Sequence, residues 1–135
     1  YTIGRPATPA PTNPFIHKHI FPGGYVPSLS EVAPAIERAG LRPCDIECWR
    51  LHYALTLRHW YDRFTARAAE AEAIHDARFA RMWRFYLAAS EATFRWGRQD
   101  VWQFQLAKTA DAVPITRDYL YGLTPARAAG QDAAA

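Results

Sequence analysis

Two cysteines, Cys44 and Cys48, are all that this 135-residue sequence offers for covalent cross-linking. They lie in a segment that reads as a strand, where four residues of rise hold them about 13 Å apart, beyond the roughly 7 Å that a disulfide spans. Two reduced thiols and the lack of a secretory leader point to the cytoplasm. No apolar run approaches the roughly 20 residues of a membrane-spanning helix, so any membrane contact is expected to be peripheral, at the inner face of the cell membrane. No block of like charge is present. The net charge of +3 comes from 16 Lys and Arg set against 13 Asp and Glu spread through the same segments, which excludes nucleic acid as a partner while still suiting anionic lipid headgroups. His17 and His19, taken with Cys44, Cys48 or His75, match no closed tetrahedral ligand spacing, so no metal site is expected. The sequence also lacks a Met at its start. Its opening Tyr1-Thr2-Ile3-Gly4 reads as the end of a buried strand, and the expectation is a fragment of a longer protein.

What the sequence has in quantity is apolar and aromatic side chains. Half of the residues are hydrophobic, and five Trp, seven Tyr and seven Phe are present, enough for one modest core but not for two domains. Pro6, Pro9, Pro11 and Pro14 make residues 5–14 an extended loop, and one helical turn fits between Phe15 and the stop at Pro22-Gly23-Gly24. Ser28-Leu29-Ser30-Glu31 has the spacing of a capping box. A helix starts there with Val32, Ile36 and Ala39 on its apolar side, Pro34 as a kink or a later start, and Gly40 at its end. Asp45 to Tyr53 reads as a strand, and from Leu55 the period becomes helical through Leu57, Trp60, Tyr61 and Phe64, then through Phe79, Met82, Trp83 and Tyr86. One bent helix or two long ones are expected over 55–96, stopped by Gly97. Val101 to Leu106 alternates as a last strand with Trp102, Phe104 and Leu106 on one face. Residues 1–121 form the folded part, and 122–135, rich in Ala and weakly patterned, form a disordered tail.

Four stretches, HKHIFPGGYVPSLSEVAPAIERAGL, DIECWRLHYALTLRHWYDRF, ARFARMWRFYLAASEATFR and DVWQFQLAK, resemble in order and spacing the C-terminal part of bacterial cyclopropane-fatty-acyl-phospholipid synthases and mycolic acid cyclopropane synthases. The resemblance covers about residues 1–108. It implies an α/β fold, the C-terminal portion of a class I, Rossmann-like methyltransferase that uses S-adenosylmethionine, with this chain supplying late strands and long helices. It implies that the enzyme adds a methyl or methylene group to the double bond of an unsaturated phospholipid acyl chain, and it leaves a homo-oligomer open. No Gly-x-Gly loop follows a strand here, so the cofactor is expected to bind the half that this chain lacks, and the isolated chain is expected to be inactive and not to bind S-adenosylmethionine.

The same resemblance implies a bicarbonate ion held near the transferring methyl by a Cys, a Glu, a His, a Tyr and a main-chain group of an Ile. RLHYALTL places Tyr53 on the family's Tyr. YTIG, set against HTIG or HSIG, places Ile3 on the Ile and Tyr1 on the His, a departure from the family pattern. Neither Cys44 nor Cys48 matches the family's Cys. The chemistry accounts for such a site: an alkene is a weak nucleophile that must be aligned and kept dry, and the cation left by methyl transfer needs a base to take a proton before the ring closes.

Read without the family, Tyr53 is a core aromatic with a bonded hydroxyl, and His52 faces away from it if both lie on a strand. The stripe from Trp60 to Tyr86 is helix core, part of which could also line an acyl-chain tunnel. Two other readings stand beside cyclopropanation. One is a related transfer giving a methyl-branched or otherwise modified chain, which Tyr1 keeps open, and the other is a non-catalytic helical fragment that binds lipid or a partner.

Overall fold

The computed structural model describes residues 2–5 and 11–123. The elements run β1 (Thr2–Gly4), α1 (Pro14–His19), α2 (Leu29–Arg38), β2 (Arg42–Cys48), α3 (Arg50–Ala66), α4 (Ala68–Ile74), α5 (Ala77–Trp96) and β3 (Asp100–Ala107), followed by a short 3₁₀ turn at Asp118–Tyr121. Three strands form one sheet in the order β1-β3-β2, and β3 runs antiparallel to both neighbours. The two segments expected as strands around residues 46 and 101 are therefore adjacent, Ile46 lying opposite Phe104 and Cys48 opposite Trp102. The start of the predicted tail lies at the turn closing on Gly122, and residues 124–135 lie outside the described part.

Local signals explain most element boundaries. The Glu31 carboxylate accepts from the Ser28 main-chain N–H at 2.7 Å and from its hydroxyl at 2.9 Å, so α2 starts at Leu29 and runs through Pro34 to Arg38. It ends where Gly40 takes φ +69°, a left-handed conformation that a side chain resists. Asp76 caps α5 by accepting from Phe79 N–H at 2.6 Å.

Two sequence expectations are corrected. The strand placed at Asp45–Tyr53 is Arg42–Cys48, and α3 begins at Arg50, five residues before the helical period was expected. Pro43 hid the true start, yet β2 is an edge strand, where a residue without an N–H is tolerated, and the register shifts between Pro43 and Asp45. The long helical span is three helices, α3, α4 and α5, broken near Arg67 and His75.

The core lies between α3, α5 and the sheet. Ala54, Leu57, Leu87, Phe94 and Val101 are buried together, with Ile3, Tyr53, Tyr61, Phe64, Trp83 and Tyr86 packed around them. On β1, Gly4 is fixed by its neighbour: a Cβ there would clash with the six-membered ring of Trp102, against Cζ3, Cε3 and Cη2. Gly4→Ala should cost about 1–3 kcal/mol, the usual penalty for overfilling a packed site. Combined with Trp102→Leu, it should cost less than the sum of the two single changes in urea unfolding. Strict additivity would show that the ring does not dictate the glycine.

Candidate functional site

Tyr53 stands on the first turn of α3 rather than at a strand end, because Trp49 turns the chain. The Trp49 N–H still bonds β3, donating to Val101 O at 2.8 Å, while Trp49 O accepts from the Tyr53 N–H at 3.0 Å and so opens the helix. The Tyr53 ring meets Phe94 edge-on with centroids 4.9 Å apart, and Trp60 at 6.1 Å. On a helix, adjacent residues are about 100° apart, so the opposite-face argument for His52 fails. His52 sits against Trp49, ring centroids 5.1 Å apart, on the exposed rim. A broad recess of about 670 Å³ opens there, lined by Glu47, Cys48, Trp49, Arg50, Leu51 and His52.

Ile3 lies opposite Val101 and packs against the same buried cluster as Tyr53. Val101 turns its carbonyl toward Trp49, so in an antiparallel ladder the pair Ile3 and Val101 is of the kind that exchanges no hydrogen bonds, and Ile3 points its main-chain groups away from β3. Arg5, two residues on, confirms the direction by donating its N–H to Pro27 O at 3.1 Å on that outer side. Two of the three residues expected at the site are thus gathered on one cluster, with the Ile3 main chain turned away from β3. The third, Tyr1, lies outside the described residues.

Past the carboxyl end of β1 sits a small polar cluster. The Arg5 guanidinium lies over the Tyr25 ring at 5.6 Å and donates to Val26 O at 2.8 Å, and the Tyr25 hydroxyl donates to Glu31 at 2.7 Å. The hydrogen bond to Glu31 pushes the Tyr25 phenol above its ordinary pKa. The Ser28 main-chain N–H, then the Tyr25 hydroxyl, hold the Glu31 carboxyl below its own. Tyr86, on the rim of the core, is raised by burial against a smaller opposing effect of Ser90. Among the described residues no three His, Cys, Asp or Glu side chains gather as a metal site, and no helix is long and apolar enough to cross a membrane.

Sequence reasoning missed a buried carboxylate, Glu91 on α5, whose side chain is only 5% exposed. Its Oε1 accepts from Arg95 Nε at 2.7 Å and its Oε2 lies 2.8 Å from Arg58 Nη2 of α3, although that second contact is an ion pair without aligned hydrogen-bond geometry. The Glu91–Arg95 spacing of four residues was a readable signal. The tie to Arg58 joins distant segments and left none.

The family described as mycolic acid cyclopropane synthetase matches residues 4–104. The chain belongs to this family. Among curated members, the tuberculostearic acid methyltransferase UfaA1 of Mycobacterium tuberculosis is 46% identical over 99 residues, which is 72% of this chain and 23% of UfaA1. The cyclopropane-fatty-acyl-phospholipid synthase of Escherichia coli K12 is 35% identical over 103 residues, 76% of this chain and 27% of the synthase. The chain therefore spans about a quarter of the length of these relatives. Among solved structures, mycolic acid cyclopropane synthase CmaA1 complexed with SAH and CTAB superposes with a TM-score of 0.66 at 32% identity, covering 68% of this chain and 32% of that one. The α/β arrangement of a small antiparallel sheet with packed helices is that of the cyclopropane synthases.

Proposed function

We infer that this chain is the late part of an enzyme that transfers a methyl group from S-adenosylmethionine to the double bond of an unsaturated phospholipid acyl chain, closing it to a cyclopropane with bicarbonate as proton acceptor. The observation that supports this is the joint placement of Tyr53 and Ile3 on one buried cluster, with Ile3 near the carboxyl end of β1, the end at which ligands meet the strands of open α/β sheets. The cofactor supplies an electrophilic methyl when bound. Its binding falls to residues beyond this chain, since no glycine-rich loop follows a strand here, and the SAH in the CmaA1 complex agrees with a cofactor of this kind for the family.

The residues present fit the smaller anion better than the cofactor. The Tyr53 hydroxyl and the Ile3 main chain can fix an acceptor beside a dry apolar cluster, and a fixed acceptor takes a proton at one atom rather than at random. Trp49 and Leu51, 36% and 50% exposed beside the recess, offer apolar surface to an acyl chain.

A second reading rests on Tyr1 and on UfaA1, a relative named for methyl transfer. In it the product is a methyl-branched chain. One experiment addresses both: mass spectrometry of lipids from cells with and without the full-length gene. Gain of one CH₂ on unsaturated chains with ring-specific fragments is the expected result, a branched product favours the second reading, and no gain on any acyl chain removes both.

A further inference from the structure

The outward side of α5 carries Arg81, Arg84, Phe85 and Ala88 at spacings of three and four residues, turned away from its buried Ala80, Leu87 and Phe94. With Tyr61 of α3 they line a shallow groove of about 260 Å³. No carboxylate lines that groove. Arg58, Arg67, Arg95 and Arg117 each hold an acidic partner, whereas Arg81 and Arg84, like seven other described arginines, hold none among the described residues; what sets these two apart is that they share one groove with an exposed aromatic side chain. Beside them Phe85 is 58% exposed. Among the described residues its ring contact is with Phe15 from α1, edge-on at 5.1 Å, and one turn beyond Phe15 the exposed Lys18 adds a further cation.

Two guanidiniums without carboxylates, beside a largely exposed aromatic side chain, form a surface with an unmet preference for anions next to apolar matter. Guanidinium forks match phosphate oxygens in a bidentate way, and an aromatic ring beside them settles at the boundary between headgroups and acyl chains. An acidic protein would satisfy the arginines, but a shallow groove with one projecting ring gives it little to pack against. We propose that the α3–α5 groove bearing Arg81, Arg84 and Phe85 docks the enzyme on an anionic phospholipid bilayer, the two arginines meeting headgroup phosphates and Phe85 entering the interface. The choice of a bilayer rests on the functional reading above, because the acyl chains to be modified are held there.

The test is co-sedimentation of the full-length protein with vesicles of phosphatidylcholine alone or mixed with phosphatidylglycerol, at low and high salt. Binding should favour the anionic vesicles and weaken with salt. Arg81→Gln with Arg84→Gln should weaken it about 30-fold at low salt, as expected for about 1 kcal/mol per basic residue at a membrane surface. Arg81→Lys with Arg84→Lys, which keeps the charge and controls for folding, should retain most of the binding, and Phe85→Ser should weaken binding even at high salt. Equal binding to both vesicle types, unchanged binding by the double Gln variant, or binding to an acidic acyl carrier protein but to no vesicle would each overturn the proposal. Arginine-dependent docking by a protein that adds nothing to acyl chains would sink the functional reading and leave the surface standing. Lipid modification with arginine-independent docking would do the reverse.

Discussion

Tyr53→Phe in the full-length enzyme should lower turnover about 10- to 100-fold while changing unfolding free energy by no more than about 1 kcal/mol. Both figures follow from what one hydroxyl is worth in two settings: a hydrogen bond to a charged group contributes about 1.5–3 kcal/mol, and one between neutral groups about 1 kcal/mol. The ring contacts with Phe94 and Trp60 survive the change, so the packing that holds the first turn of α3 is kept. Product yield per enzyme, measured beside urea unfolding of the same preparation, separates the two effects. An unchanged rate would remove Tyr53 from the chemistry, and a loss of stability matching the loss of rate would make it a core residue only.

Replacing both Arg58 and Arg95 with Met should destabilise the fold by about 3–5 kcal/mol, because it strands the Glu91 carboxylate without its cations in a place it cannot leave. Glu91→Met should cost far less, about 1 kcal/mol or under. The asymmetry comes from exposure: the arginine side chains are 49% and 30% exposed against 5% for the carboxylate, so freed arginines return to water while a freed carboxylate does not. Urea midpoints of the two variants decide the matter. If Glu91→Met were the more damaging, the carboxylate would be contributing something beyond the neutralisation of two cations.

How far the sequence could be read depended on the range of each cause. The Ser28–Glu31 cap, the Gly40 end of α2, the Gly97 stop and the alternation around Trp102 act within a few residues, and each lies where it was expected. The turn at Trp49 does not, for it is set by a hydrogen bond to Val101, fifty-two positions away in sequence, and without it WRLHY carries the aromatic and apolar residues of a strand. Tyr53 was singled out by resemblance, not by period, and it stands on a helix where a strand was expected. Ile3 needed the ladder register to show where its main chain points. Glu91 needed both helices in place before its burial had meaning, and Arg81 and Arg84 stood out only once they lay with Phe85 in one groove between α3 and α5.

That same Trp49–Val101 bond gives the helical part of the chain an unusual independence. Residues 50–99 leave the sheet and return to it at nearly one point, so their departure and arrival are stitched together whatever lies between. Closing a longer excursion costs only about 0.6 kcal/mol for each doubling of its length, and the pairing of β2 with β3 never has to shift to accommodate it. Helices can therefore be lengthened, shortened or exchanged here while Tyr53 stays tethered by its main chain to the sheet. The helical segment is thus the part of this chain that can change in length or shape without redesigning the strands.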